Sequence, residues 1–248
     1  MQTKKEGYNV RQSNLYIILY SAGLTVFCGA VLAFASISLK DRQDANIALE
    51  QKSNILATVT TLEENTNVVE LYSKRIHAFV IDANGDIVPN LEPSKVVVAS
   101  EYKKAPADRV LPVYEFINEA DSTKVEAVVL PVYGYGLWNT IWGFVALESD
   151  FNTVRGVKFA HAGETPGLGA RIESDEIQER YKGKKLFDND ALVSIVMMKG
   201  EGANYSDDRH RVDGMSGATL TAKGVNNMLK DYFKCYEKYL KKKTIASN

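Results

Sequence analysis

Hydrophobic and polar positions divide this chain at Leu39. From Gln12 through Leu39 no side chain is charged, and Ile17, Ile18, Leu19, Leu24, Val26, Phe27, Val31, Leu32, Phe34 and Ile37 make residues 15–39 strongly apolar. A bilayer core takes about 20 such residues, so the run predicts one transmembrane helix over 12–39. Gly23 and Gly29 are ordinary in such a helix, and Tyr16 and Tyr20 suit the membrane–water interface. From Asp41 to Asn65 the pattern becomes mixed. Ala45, Ile47, Ala48, Leu49, Ile55, Leu56, Val59 and Leu62, with no Gly or Pro between them, predict a helix that continues the span.

Strand signals follow. Ile76–Ile81, the turn Asp82-Ala83-Asn84-Gly85 and Ile87-Val88 read as a hairpin, because Asn-Gly is the strongest two-residue turn signal. Val96–Val98 reads as a short strand, and Val110–Ile117 is open between strand and helix. Val125–Val132, Ile141–Leu147 and Val154–Ala160 are β-rich runs. Ser174–Tyr181 reads as a short helix capped by Ser174, and Val193–Met198 as a buried strand leading into a polar loop, Asn204–Arg211. At the end, Val225, Met228, Leu229, Tyr232, Phe233, Tyr236 and Leu240 fall near one face of a 3.6-residue period and predict a long helix. The expected fold is α+β: one N-terminal transmembrane helix, then a domain with an antiparallel β-sheet and flanking helices. The expected division is an N-terminal tail, 1–11, the span, 12–39, a membrane-proximal part, 40–123, and a ligand-binding part, 124–248.

Composition narrows the function. With a net charge of -1 over 248 residues, the chain lacks the basic excess that nucleic-acid binding calls for. Cys28 lies in the apolar span and Cys235 in the last helix, so no disulfide framework is expected. His77, His161 and His210 have no metal-ligand spacing, and no metal site is expected. Lys4, Lys5 and Arg11 precede the span, while Lys40 and Arg42 after it are mixed with Asp41 and Asp44; this bias puts the N-terminus in the cytoplasm and the domain outside it. Two alternatives compete with a retained anchor. Ala33-Phe34-Ala35 resembles a leader-cleavage site, although the apolar run exceeds the usual core of a leader. Cys28 is a poor lipid-attachment site because bulky Val26-Phe27 precede it.

Three short stretches carry candidate chemistry. Gly134-Tyr135-Gly136-Leu137-Trp138-Asn139 and His161-Ala162-Gly163-Glu164-Thr165-Pro166-Gly167-Leu168-Gly169 lie at strand ends, where ligand loops are common. Trp138 between glycines offers a flat apolar face suited to an isoalloxazine ring. Asp213-Gly214-Met215-Ser216-Gly217-Ala218-Thr219-Leu220-Thr221 opens the last helix. Free N–H groups and the positive dipole end there favour a phosphate beside the hydroxyls of Ser216, Thr219 and Thr221. The plainer alternative is a turn followed by a helix N-cap. No Ser–His hydrolytic arrangement, no dinucleotide fingerprint after a strand and no cysteine cluster for iron–sulfur ligation is present. These absences set aside hydrolysis, dinucleotide binding and iron–sulfur ligation for this chain.

The three stretches together resemble the bacterial FMN-binding domain family, in the form found in the covalent-flavin subunit of the sodium-pumping NADH:quinone reductase. The resemblance covers residues 133–228 and the single anchor. It implies FMN held by a phosphoester on Thr219, with Ser216, Gly217, Ala218, Leu220 and Thr221 around the phosphate. It further implies that Trp138 and Leu168 pack on the ring, that Glu164 and Thr165 are polar contacts near it, and that Leu137 and Gly167 also bind the cofactor. No catalytic side chain is implied. The implied partners are the other membrane and cytoplasmic subunits of the complex, an FMN transferase during maturation, and membrane lipid, with no nucleic acid. The implied location is the bacterial inner membrane, single-pass, with the N-terminus cytoplasmic and the FMN-binding domain periplasmic. The Glu-Thr-Pro-Gly-Leu-Gly loop is shared with the flavin subunit of the Rnf ferredoxin:NAD electron-transport complex, while Gly-x-Gly-Leu-Trp favours the quinone reductase. A reading of another class is a membrane-anchored extracytoplasmic sensor, in which Thr219 has no special part. The span carries no ionisable group, so an ion route across the membrane falls to partner subunits.

The uncharged run generates a direct test. The full chain is expected to need detergent, and a chain beginning at Asp44 to stay in aqueous solution, as assayed by ultracentrifugation. A mature protein found in the aqueous fraction with Ser36 at its N-terminus would establish a cleaved leader instead.

Overall fold

A computed structural model of the chain describes residues 14–63 and 65–247. The expected cytoplasmic tail, residues 12 and 13 of the span, and Glu64 of the expected second helix lie outside the described residues. The chain falls into two compact units that divide between Glu50 and Gln51.

The first unit holds most of helix α1, Asn14–Ala57. The helix contains a window with a mean hydropathy of 2.2 and is long and apolar enough to cross a membrane. Its large apolar side chains, among them Leu19, Val26, Phe27, Leu32 and Phe34, are exposed, as lipid-facing residues of an isolated span are.

The second unit is built on one antiparallel sheet. Its strands are β1 (Ile76–Ile81), β2 (Leu111–Ile117), β3 (Val125–Tyr135), β4 (Thr140–Glu148) and β5 (Val154–His161), in spatial order β1-β2-β3-β4-β5. Residues 123 and 124, where the expected division falls, lie in the connection between β2 and β3, which pair with each other in this sheet. Helix α5, Thr219–Ser247, covers one face. Its residues Val225, Met228, Leu229, Tyr232, Phe233, Tyr236 and Leu240 are all buried against Val128, Leu130, Val132, Ile141 and Leu147. The opposite face, with Tyr114, Phe116, Ala127, Val129 and Ala146, packs on Ile55 and Leu56 at the end of α1 and on Leu71 and Tyr72 of α2, Val68–Arg75. Cover on both faces explains why β3 and β4 read as continuous apolar runs rather than as alternating ones.

The segment left open, Val110–Ile117, is strand β2. Pro112 pairs with Val80 of β1, but the register with β3 begins only at Tyr114, so on that side no partner needs the missing N–H. Glu115, also buried, is bound by the Tyr239 hydroxyl at 2.9 Å and by Lys243 at 2.6 Å.

Four expectations need correction. The helix expected to reach Asn65 ends at Ala57, because the β-branched run Thr58-Val59-Thr60-Thr61 disfavours helix and the Thr58 hydroxyl binds the Ile55 carbonyl at 2.6 Å. Val96–Val98 is not a strand. Residues 96 and 97 link a 3-10 turn opened by Pro93 to the short helix α3, Val98–Glu101, and their backbone groups close those two turns: the Val96 N–H donates to the Pro93 carbonyl at 3.2 Å and the Val97 carbonyl accepts the Ser100 N–H at 2.8 Å. Ser174 does not cap the helix α4, Asp175–Glu179; its hydroxyl donates back to the Arg171 carbonyl at 2.7 Å. Val193–Met198 is not a buried strand, since Val193 and Val196 are exposed and only β8, Val196–Met197, is extended. The Asn84-Gly85 turn does form, with Gly85 at φ 75, but its returning arm makes one bridge, Ile81 to Ile87, before Pro89 ends it.

Short paired segments follow the main sheet: β6 (Phe187–Asp188) with β7 (Ala191–Leu192), and β8 in parallel with β9, Arg211–Val212. Between β7 and β8, Ser194 has φ 68, is 3% exposed, and its hydroxyl has no hydrogen-bond partner among the described residues. A left-handed Ser and an unsatisfied buried hydroxyl each cost about 1 kcal/mol or more. Ser194→Gly relieves both and is expected to raise unfolding stability by about 1 kcal/mol, after the entropy cost of Gly, as read from the urea midpoint.

Candidate functional site

Three chain segments meet at one end of the sheet. The first is the β3–β4 connection, closed by the bond from the Gly136 N–H to the Asn139 carbonyl at 2.8 Å. The second is the loop after β5, residues 162–168, which runs into a 3-10 turn, Gly169–Glu173. The third is the first turn of α5. Register brings the first two together, since Tyr135 pairs with Thr140 and Ile141 with His161.

Glu164 joins all three. It is 4% exposed. One carboxylate oxygen accepts the N–H groups of Trp138 at 2.9 Å and Asn139 at 3.4 Å, and the other accepts the Thr221 hydroxyl at 2.6 Å. Its own N–H donates to His161 Nδ1 at 3.2 Å. Burial pushes the Glu164 carboxyl up, but the Thr221 hydroxyl and the amides of Trp138, Asn139 and Leu137 outweigh it and hold the group below its ordinary value. The carboxylate is therefore ionised at neutral pH. Such close approach needs glycine. A Cβ on Gly136 would lie 2.5 Å from one Glu164 oxygen, and one on Gly169 would lie 2.6 Å from the other and 2.5 Å from the Thr221 hydroxyl.

A second group of charges clamps the turn before α5. Glu201 makes a two-pronged ion pair with Arg171, at 2.8 and 2.7 Å, and a third contact with Arg180 at 2.9 Å. It also accepts the Ser216 N–H at 3.0 Å. Arg180 reaches on to the Gly214 carbonyl at 2.5 Å. Asp213 accepts N–H groups from Gly202 at 2.8 Å and Ala203 at 3.2 Å, tying the loop to the turn. The guanidinium of Arg171, then that of Arg180, then the Ser216 amide hold the Glu201 carboxyl well below the usual carboxylate range. Sequence reading missed Glu201, Arg171 and Arg180. A Glu between two glycines carries no spacing signal, and its partners lie 21 and 30 residues away.

These contacts enclose a cleft of about 200 Å³ lined by Leu137, Glu164, Thr165, Leu168, Gly169, Gly217, Ala218, Thr219, Leu220 and Thr221. Nine of the residues singled out from sequence line it, and Gly169 is an addition. Trp138, Gly167 and Ser216 lie off its wall. Trp138 stands at the rim, 70% exposed, and its indole N–H donates to the Thr165 hydroxyl at 3.2 Å. Gly167 forms the loop bend at φ 74, and Ser216 faces solvent. The three hydroxyls near the helix start differ in access: Ser216 and Thr219 are exposed, while Thr221 is 1% exposed and bound to Glu164. Ala218 precedes the helix and has no side-chain oxygen. Among the described residues, no side chain hydrogen-bonds the amides of Thr219, Leu220 or Thr221. The helix start therefore offers uncapped N–H donors and the positive dipole end beside an accessible threonine hydroxyl, an arrangement suited to a phosphate.

The FMN-binding domain family model matches residues 136–234, a stretch containing every residue of the cleft wall and the Arg171–Glu201–Arg180 clamp. The NqrC subunit of the Na(+)-translocating NADH-quinone reductase of Haemophilus ducreyi is 39% identical over 225 residues, covering 85% of this chain and 86% of that protein. This chain belongs to the NqrC family. The crystal structure of NqrC from Parabacteroides distasonis superposes with a TM-score of 0.70 at 30% identity, over 82% of this chain and 96% of that one. That of Shewanella oneidensis NqrC superposes with a TM-score of 0.69 at 27% identity, over 79% of this chain and 97% of that one. The α+β architecture, with an antiparallel sheet after one long apolar helix, is thus that of an NqrC fold.

The clamp gives a pH test. Glu201 is more acidic in the folded state than its ordinary value of 4.5, so folded protein binds fewer protons than unfolded protein below that point. The stabilisation is complete above the ordinary value and is lost as pH falls through and below it. Urea midpoints of wild type and Glu201→Gln should therefore converge as pH is lowered from about 6 to about 3. A gap that stays constant with pH would show that the ion pair adds nothing to stability.

Proposed function

We propose that this chain is the electron-carrying, FMN-bearing NqrC subunit of a membrane-bound sodium-translocating NADH:quinone reductase, with FMN esterified through its phosphate to Thr219. The observation that carries the reading is the accessible Thr219 hydroxyl on an uncapped helix start, inside the stretch that matches the FMN-binding family. The wall fits the group. Uncapped amides and the helix dipole suit the phosphate, and Leu137, Leu168 and Leu220 with Trp138 at the rim give apolar surface for a flat ring. FMN, when bound, supplies reversible uptake and release of electrons. The residues do the rest. In the attachment, Thr219 Oγ1 would displace the leaving group from phosphorus on the transferase's flavin donor, one bond to phosphorus breaking as the other forms, and would give up its proton; the amides of residues 219–221 would then hold the phosphate oxygens, and the leucines would keep water from the ring.

The relatives carry the name of the quinone reductase, and this favours it over the Rnf complex and over a sensor. Partner subunits then supply the NADH site, the quinone site and the ion route, while a separate transferase attaches the flavin. Helix α1 serves as the anchor in lipid, with the basic N-terminus in the cytoplasm and the FMN-binding domain periplasmic.

The attachment is tested on denatured protein from a host that contains the transferase, by flavin fluorescence in a gel and by peptide mass mapping. Thr219→Val should abolish the fluorescent band, and Ser216→Ala should keep it. A band that persists in Thr219→Val, with the added mass on another hydroxyl, would move the site.

A further inference from the structure

Among the described residues, Glu164 is the only charged one in the wall of the cleft, and no Lys, Arg or His side chain forms an ion pair with it. Its partners are the Thr221 hydroxyl and the amides of Trp138 and Asn139, all neutral dipoles. An ionised carboxylate buried without a counter-ion is costly, whereas a neutral glutamine could accept the same amide hydrogen bonds. Holding the three segments together therefore does not require the charge.

We propose that Glu164 sets the redox potential of the flavin, holding a fixed negative charge in the cleft wall that disfavours electron uptake and keeps the reduced cofactor a strong donor. The proposal rests on FMN being seated in this cleft through Thr219. An electron added to the ring meets the nearby negative charge, and the repulsion is larger in a low-dielectric wall than in water. The Thr221 hydroxyl partly offsets that charge and fixes its position. Glu164 is thus a tuning and positioning residue, and the exchange of electrons belongs to the cofactor and its redox partners.

The test is a spectroelectrochemical titration of the full chain, purified in detergent with flavin attached, for wild type, Glu164→Gln and Thr221→Val. The attachment site of each is mapped by peptide mass. Glu164→Gln removes the charge and keeps an amide acceptor, so its midpoint potential should rise. Thr221→Val keeps the charge and removes the offsetting hydroxyl, so its potential should fall. A purely structural role would move both variants in the same direction or neither. With the flavin mass on Thr219, a Glu164→Gln potential at or below wild type overturns this proposal and leaves the attachment standing. A flavin mass on another residue of the wild type overturns the attachment itself. If Glu164→Gln takes up no flavin, Thr221→Val decides alone, and a potential at or above wild type overturns the proposal. If neither variant takes up flavin, Glu164 builds the site rather than tunes it, and the proposal falls.

Discussion

Burying the carboxylate of Glu164 obliges the chain to bring hydrogen-bond donors to it, and those donors come from separate segments. Two are backbone amides at the β3–β4 connection, and the third is the hydroxyl of Thr221 in the first turn of α5. Satisfying the two acceptor oxygens of one buried side chain therefore fixes the hairpin tip, the loop after β5 and the helix start in one place. The glycines at 136 and 169 follow from the same demand, because a side chain at either position would occupy the carboxylate's space. The cleft is what remains between the three segments.

Helix α5 does two jobs at once. Along its length, a buried apolar face covers one side of the sheet, and that burial anchors the helix far more firmly than its own propensity could. At its first turn it leaves its amides uncapped, because Ala218 stands where a capping side chain would be expected. The packing of the body makes the open start tolerable. A helix held by its core contacts can present unsatisfied donors to a ligand without fraying.

Charge is distributed unevenly around this start. On one side Glu201, held between two guanidinium groups, grips the Ser216 amide and fixes the turn from outside. On the other side, among the described residues, Glu164 is held by neutral donors alone. The first carboxylate is neutralised and acts on backbone geometry, while the second keeps its charge in the wall of the cleft.

Much of this molecule was determined by the sequence alone. The uncharged run ending at Leu39, the 3.6-residue period from Val225 to Leu240 and the β-rich runs from Val125 to Ala160 are local patterns, and each produced the element it implies. The Gly-rich loops and the Ser-Gly-Ala-Thr turn could be marked for the same reason, since turn chemistry is written in neighbouring residues. Tertiary structure decided the rest. Val96–Val98 has strand composition but its backbone groups close the turns on either side, and Ser174 has a capping side chain that bonds backward instead. Thr221 stands two residues from Thr219 in a motif of similar hydroxyls, yet one is sealed against Glu164 and the other left open. Spacing along a chain cannot make that distinction, because it depends on a carboxylate 57 residues away and on which side of the helix faces it. Local order follows from neighbours in sequence; the division of labour among chemically similar groups follows from which of them the fold buries together.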